Sequence, residues 1–456
     1  MSLQSLKIHF RKTSLIAYPI VLSQLGHITV GVADSVMVGE LGTEPLAAVS
    51  LANSIFSLVL MFGIGVSMAI TPLVAAADGE GDLKKSGRIF RHGLAINLLA
   101  SFVLGLVILL GTQLLPLLEQ PERVVELAIP YLLIITSSLL PFMLFQTFKQ
   151  YAEGLSRTRT AMFITLSANL LNIFFNYLLI YGKWGFPEMG LNGAGVATLI
   201  SRILMLIAMV VYVKRAPWFN QKITMKKLQK TLMVRILKIG IPTGFQYVFE
   251  VGAFSTAAIM MGWLGAQALA AHQIALNLAA VSYMMVTGIA AASTVRVGNQ
   301  LGMKDIPNMR RAGFSAFLMG LMLMTSSAVL FVSGKYFFPS LYIDEPEVIE
   351  LAGSLLIIAA FFQLSDGVQA VALGTLRGMA DVKIPTIITL IAYWVVGLPV
   401  AYLLAFPLEL GPHGIWYGLL VSLTIAAVLL VSRFHYISKR LLRKYPAEKQ
   451  TAATSA

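Results

Sequence analysis

VMVGELGTEPLAA at residues 36–48 returns as IMMGWLGAQALAA at residues 259–271. The offset is 223 residues, and it holds well beyond that stretch. Without a gap, Pro19 falls on Pro242, Gly65 on Gly288, Thr71 on Thr294, Gly79 on Gly302 and Asp82 on Asp305. With small gaps, GLNGAG (190–195) falls on GPHGIW (411–416). A fixed internal period dictates architecture before any local reading does. The chain reads as two copies of one unit.

What each unit contains follows from composition. Of 456 residues, 57% are hydrophobic and only 12% are charged, about half the ~25% charged share of soluble domains. Disordered chains are poor in apolar residues, so disorder is excluded. The apolar residues fall in continuous runs rather than the ~10-residue alternation of a membrane β-barrel. Twelve runs approach or exceed the ~20 residues that a spanning helix needs. They cover 13–37, 46–74, 92–115, 127–148, 160–182, 191–213, 236–260, 268–295, 312–334, 348–374, 384–407 and 413–434. The expected fold is an all-α polytopic membrane protein, with twelve transmembrane helices in two pseudo-symmetric six-helix lobes. Six is even, so the lobes have parallel topology and an axis along the membrane normal. The expected organisation is an N-terminal lobe at 1–215, a basic linker at 216–235, a C-terminal lobe at 236–437 and a polar tail at 438–456.

The net charge of +13 is explained by topology and not by nucleic acid. With the N-terminus cytoplasmic, thirty of the 34 Lys+Arg fall in cytoplasmic segments and span ends. Only Arg123, Lys183 and Lys335 fall in outer loops, and Arg202 lies inside a span. This asymmetry puts both termini in the cytoplasm. The basic N-terminus leads into an apolar run without a clear cleavage site, which reads as a retained first span. Lys214, Arg215, Lys222, Lys226, Lys227, Lys230, Arg235 and Lys238 form the basic cluster between the halves, a solvated cytoplasmic linker. There are no cysteines, hence no disulfides and no thiolate metal sites. Neither a phosphate-binding G-x-x-x-x-G-K-[ST] loop nor H-E-x-x-H occurs, and no nucleophile–base pair is found in the spans. An enzyme is not expected, and no cofactor.

Three acids sit deep in apolar runs: Asp34, Glu250 and Asp366. A charge at the bilayer centre costs ~2.5–3.5 kcal/mol on insertion scales, so such residues normally face a protein interior or a cavity. A carboxylate can take up a proton, coordinate Na⁺ or attract an organic cation. Competition among these for one site couples their movements. Polar residues accompany the acids. Asn169, Asn172 and Asn176 lie in one span, with Asn172 and Asn176 four apart on one helix face. Another span carries His272, Gln273, Asn277 and Tyr283; Gln273 and Asn277 also share a face, and a tyrosine ring can receive a cation. Pro19 and Pro242 occupy matched positions where a helix can kink. Arg202, near the middle of its span, is expected to pair with a buried acid or to reach toward an interface.

Two similar lobes can enclose a cavity and rock about it, opening it to either side. The residues therefore point to a coupled carrier. The chain also resembles the multidrug and toxic compound extrusion (MATE) family, NorM-like branch, over nearly its whole length to about residue 437. The resemblance rests on Pro19 and Asp34, the VGELG–LAA segment, NLLNIFFNYLLIYG–GLNGAG, Glu250, AAHQIALN, Asp366 and LRGMADVKIP. It implies a secondary active efflux transporter that exports organic cations and related amphipathic compounds by Na⁺ or H⁺ antiport. It implies a cation site from Glu250 and Asp366, the Na⁺ ligands if sodium is the coupling ion, with Tyr283 nearby. Gln273 would line the substrate cavity, where the residue reading also places Asn277. Asp34, Asn172 and Asn176 would form the first-lobe polar cluster. Many members of that family carry aspartate at the position of Asn176, so here one carboxylate stands in that lobe. The expected setting is the cell inner membrane, the expected partners are lipids and small organic cations, and the expected working form is a monomer. The competing reading is a flippase for lipid or lipid-linked oligosaccharide with the same topology. An anionic cargo of that kind calls for a basic cavity, whereas the deep residues here are mainly acidic.

Overall fold

The computed structural model describes residues 3–118, 120–217, 219 and 228–445. Among them there is no strand, and twelve long helical elements follow one another. These are α1 (Leu3–Gly39), α2 (Thr43–Gly79), α3 (Leu83–Thr112), α4 (Glu122–Gly154), α5 (Thr158–Ile180), α6 (Gly190–Arg215), α7 (Lys230–Trp263), α8 (Ala266–Gly302), α9 (Ile306–Ser333), α10 (Pro346–Gly378), α11 (Lys383–Ala405) and α12 (Gly411–Lys444). Eleven are long and apolar enough to cross a membrane. The twelfth, α7, has the length, but Pro242, Thr243, Gln246 and Glu250 interrupt its apolar run. The fold is thus all-α and polytopic, with six helices in each half. Of the central basic cluster, Lys222, Lys226 and Lys227 lie outside the described residues.

The chain forms two compact units. One, the first-half unit, comprises Leu22–Val74 and Asp82–Gly244; the other, the second-half unit, comprises Met1–Val21, Ala75–Gly81 and Phe245–Ala456. The boundaries in α1 and α7 follow Val21 and Gly244, each two residues past a proline, Pro19 or Pro242. Both helices run on through their prolines.

The first-half unit packs Phe56, Leu104, Ile108, Leu132, Ile135 and Met143 into one core. In a bilayer, lipid is as apolar as leucine, so small residues and hydrogen bonds carry more of helix association. Both are present. Ser67 Oγ donates to Asn97 Oδ1 at 3.2 Å, Asn97 Nδ2 donates to Thr147 Oγ1 at 2.7 Å, and the Thr71 hydroxyl bonds Gln150. Gly65 of α2 faces the backbone of Gly244 in α7.

In the second-half unit, Phe362, Trp416, Leu355 and Leu419 anchor the core. Its contacts echo those of the other unit. Gly288 faces Val21, and these are the repeat mates of Gly65 and Gly244. Where the ends of α2 and α8 cross, a Cβ on Gly79 would meet the carbonyl of Asn299, and one on Gly302 would meet the carbonyl of Ala76. Gly79 and Gly302 are repeat mates, as are Ala76 and Asn299. The crossing therefore maps onto itself under the repeat. Asn299 Nδ2 ties it to Asp78 Oδ2 at 2.8 Å. The turns that follow also match: Asp82 caps α3 by accepting from Lys85 N at 2.8 Å, and Asp305 caps α9 by accepting from Asn308 N at 3.1 Å. Such caps satisfy orphan N–H groups of the first helical turn.

Gly302→Ala is expected to destabilise the protein by about 1–3 kcal/mol, because the new methyl must displace backbone. Gly111→Ala, where nothing lies within 4 Å, is the control and should not destabilise it. Thermal melting in detergent, followed by tryptophan fluorescence, checks both. Equal melting temperatures for the two variants would refute the tight crossing.

Candidate functional site

In the first-half unit, Asp34 lies in the last third of α1, one helix turn before Met37. Asn176 Nδ2 of α5 donates to Asp34 Oδ1 at 2.5 Å. The same amide reaches Asn172 Oδ1 at 3.5 Å, and Asn172 Nδ2 donates to Thr198 Oγ1 of α6 at 3.4 Å. Four residues on α1, α5 and α6 thus form one polar chain, with both asparagines buried. The α1 and α5 ends are pinned beside it. Tyr181 OH donates to Glu40 Oε2 at 2.6 Å and lies 3.0 Å from the Met37 carbonyl. Desolvation, together with the Glu40 carboxylate, pushes the Tyr181 hydroxyl up to about 12, so it stays a donor at neutral pH.

Arg202 of α6 lies on the same face as Thr198, one turn on. Among the described residues no acid lies within ion-pair distance of it, although Asp34 is near enough to act on it electrostatically. Its guanidinium carbon instead stands 5.2 Å from the Phe56 ring centroid and 4.8 Å from that of Phe142, and Nη1 donates to Ser138 Oγ at 2.7 Å. Ser138 sits at a break in α4, between helical stretches Glu122–Ser137 and Leu139–Gly154.

The second-half unit holds the other two acids, 5% and 4% exposed for Glu250 and Asp366. Tyr283 OH of α8 donates to Glu250 Oε1 at 2.8 Å. Glu250 Oε2 and Asp366 Oδ1 have no hydrogen-bond partner. The two carboxylates lie within electrostatic reach of each other, and Arg377 lies within reach of Glu250. One neighbouring helix, α11, bonds to both of their helices close to the acids. In α11 the stretch Ile391–Gly397 widens into a π-helix, a form frequent at functional sites. Pro399, just beyond, has no N–H for the carbonyl of Val395, which loosens the α-helical ladder there. From the widened turn, Trp394 Nε1 donates to the Phe249 carbonyl at 2.9 Å, beside Glu250. Tyr393 exchanges hydrogen bonds with Gln369 at 2.7 and 3.0 Å, one turn from Asp366.

Buried oxygens without donors call for a cation or a proton. Among the described residues no three His, Cys, Asp or Glu side chains gather. Two hard carboxylates with a tyrosine suit a proton or a weakly held Na⁺ rather than a resident transition metal, which takes more ligands and softer ones.

The structure therefore joins Asp34 with Asn172 and Asn176, and Glu250 with Tyr283. It does not bring Gln273, Asn277 or His272 into hydrogen-bonding contact with these. Gln273 and Asn277 share an exposed face of α8. His272 is buried in the core, edge-on to Trp416 at 5.7 Å, with both ring nitrogens unpartnered.

The MatE family profile matches residues 19–178 and again 242–403, once in each half. The chain belongs to the MatE family. Its members are transporters, not enzymes. It is similar to the probable multidrug resistance protein NorM of Agrobacterium fabrum, at 35% identity over 95% of each chain. It is similar to the multidrug resistance protein NorM of Photobacterium profundum, at 36% identity over 94% of this chain and 95% of that one. Among solved structures, the crystal structure of the eukaryotic MATE transporter AtDTX14 superposes with a TM-score of 0.85 at 21% identity, over 97% of this chain and all of that one. That likeness speaks for the fold.

Within this MatE chain, sequence reasoning missed Thr198, Gln369, Tyr393 and Trp394. Polar residues inside otherwise apolar runs were the available signal, and Gln369 lies only three residues from Asp366. Trp394 acts through a widened turn that periodicity does not show.

Replacing Asn176 with leucine leaves Asp34 Oδ1 without its amide donor, at an expected cost of about 1–3 kcal/mol. A melting temperature in detergent unchanged from wild type would mean that another group serves Asp34.

Proposed function

We propose that this chain exports organic cations and related amphipathic compounds, multiple drugs among them, in exchange for Na⁺ or H⁺. The lobes rock so that each side gains access in turn. The observation that carries this reading is the pair Glu250 and Asp366, buried, mutually repulsive when both are ionised, and each holding an oxygen that no donor serves. A bound cation relieves the repulsion, and releasing it restores the cost. A site of that kind favours occupancy by one cation at a time, which is the requirement of exchange. Tyr283 holds one Glu250 oxygen and leaves the other for the ion.

The remaining assignments rest on this reading. Asp34, Asn172 and Asn176 form the first-lobe path for proton or substrate. Gln273 and Asn277, exposed on one face of α8, line the substrate cavity. Pro19 and Pro242 are the points where α1 and α7 bend as the lobes move. The protein works as a monomer in the inner membrane, with both termini cytoplasmic, as the Lys and Arg asymmetry supports. The bacterial relatives named for multidrug resistance support the cargo class.

Purified protein in liposomes is expected to move ethidium under an imposed Na⁺ or H⁺ gradient. Glu250→Gln and Asp366→Asn should each lower that movement about tenfold or more, as when a coupling free energy above ~1.4 kcal/mol is lost. The gradient that drives wild type identifies the ion. Two variants as active as wild type would refute the second-half site.

A further inference from the structure

Two adjacent residues of α11 bond the two helices that carry the acids of the second-half unit. Trp394 Nε1 donates to the carbonyl of Phe249 at 2.9 Å. That carbonyl belongs to the peptide unit that continues into the nitrogen of Glu250, and a peptide unit is a rigid plane. The indole therefore holds the backbone of the acid itself. It comes this close because Gly252 has no side chain: a Cβ there would meet the Trp394 ring at 3.0 Å. Trp394 is 40% exposed, so it braces α7 from the surface of the unit and not from its core.

Tyr393 serves the other helix. Successive side chains leave a helix roughly 100° apart, so neighbours on α11 can reach two different partners. Tyr393 is buried and exchanges hydrogen bonds with Gln369 of α10 at 2.7 and 3.0 Å. Gln369 lies three residues from Asp366, on the same face of α10. Phe254 of α7 fills the space between the helices, with its ring centroid 6.3 Å from that of Tyr393 and 6.0 Å from that of Phe362 in α10. One turn of α11 thus fixes α7 beside Glu250 and α10 beside Asp366, through bonds that touch neither carboxylate.

The spacing of the acids matters because they repel. The energy of two like charges rises as they approach, and a small cation bound between them relieves it. Holding the pair close therefore strengthens the grip on such a cation, and letting it spread weakens that grip. We propose that Tyr393 and Trp394 are positioning residues that set the spacing of Glu250 and Asp366, and so set how tightly the site holds its coupling ion. The proposal rests on the exchange reading above and places the control of ion affinity in α11 as well as in the acids.

Ethidium movement in liposomes is measured against the concentration of the driving ion, Na⁺ or H⁺ as wild type shows. Glu250→Gln reports on the site itself. Trp394→Phe keeps a ring and removes the N–H; Tyr393→Phe removes only the hydroxyl. Each is expected to raise the ion concentration at half-maximal rate about fivefold, the worth of one hydrogen bond. The rate at saturating ion and the ethidium concentration at half-maximal rate should stay within about twofold of wild type, because a bulky cation cannot sit between the acids as a small ion does. The same shift should appear without transport, as a higher ion concentration needed to raise the melting temperature of the purified protein, since a ligand of the folded state stabilises it. Gly252→Ala, which crowds the indole and alters no polar group, should shift the ion dependence in the same direction, and should add little to Trp394→Phe because both act through one contact. It carries the test if an α11 variant does not fold. An ion dependence unchanged from wild type in the folded variants would overturn the proposal while Glu250→Gln still upholds the site. An equal shift for ethidium and for the ion would also overturn it, by marking a general loosening. Glu250→Gln as active as wild type would overturn the exchange site and this proposal together.

Discussion

An ionisable group in a hydrocarbon layer persists only where donors, a counter-charge or an ion stabilise its charged form. The rest of this molecule is arranged around that constraint. Asp34 meets it with an amide, held by a second amide and a hydroxyl on a third helix. Glu250 meets it by half, with Tyr283 on one oxygen and nothing on the other. Arg202 meets it with two aromatic faces and one serine. Each solution draws on at least two helices, so charge and helix packing are not separable here. Loosening one helix exposes or orphans the group that it serves.

Much of this was legible in the sequence. The 223-residue period, the apolar runs and the deep acids give the helix count, the two halves and the carboxylates that the structure buries. They do so because each depends on a short-range property: run length, recurrence, or a charge where charge is costly. The four-residue spacing of Asn172 and Asn176 likewise places them on one face without tertiary knowledge. What the sequence withheld depends on tertiary contact. The stretch Ile391–Gly397 is π-helical, with Gly397 set close against Ser422 and Pro399 two residues on. No local pattern announces it, although it aims both Tyr393 and Trp394. Arg202 was visible as an anomaly, but its partners come from α2 and α4, 60 or more residues away in the chain. The break within α4 was also hidden, since apolar composition continues straight through it.

The repeat separates what the two halves share from what each has made its own. Shared positions are those of packing: Gly65 with Gly288, Gly79 with Gly302, the prolines of α1 and α7, and the aspartate caps of α3 and α9. These are small, rigid or turn-forming residues, and their contacts recur with the same partners under the repeat. The deep acids do not recur. Glu250 falls on His27, and Asp34 falls on Ala257. Duplication therefore fixed a scaffold of crossings and turns, and the polar groups diverged on it.

That divergence has a physical consequence for a carrier. If both halves held identical ion sites, one ion at each would produce equal responses, and nothing would distinguish coupling ion from cargo. Here one half gathers two carboxylates, each with one oxygen that lacks a donor among the described residues, a composition that discriminates by charge and favours a small cation. The other half offers a carboxylate already served by amides, together with an aromatic-clamped arginine, a composition that discriminates by shape and by the arrangement of polar groups. The difference between the halves lies in where desolvation is left uncompensated, and it is set by side chains alone on a backbone that repeats.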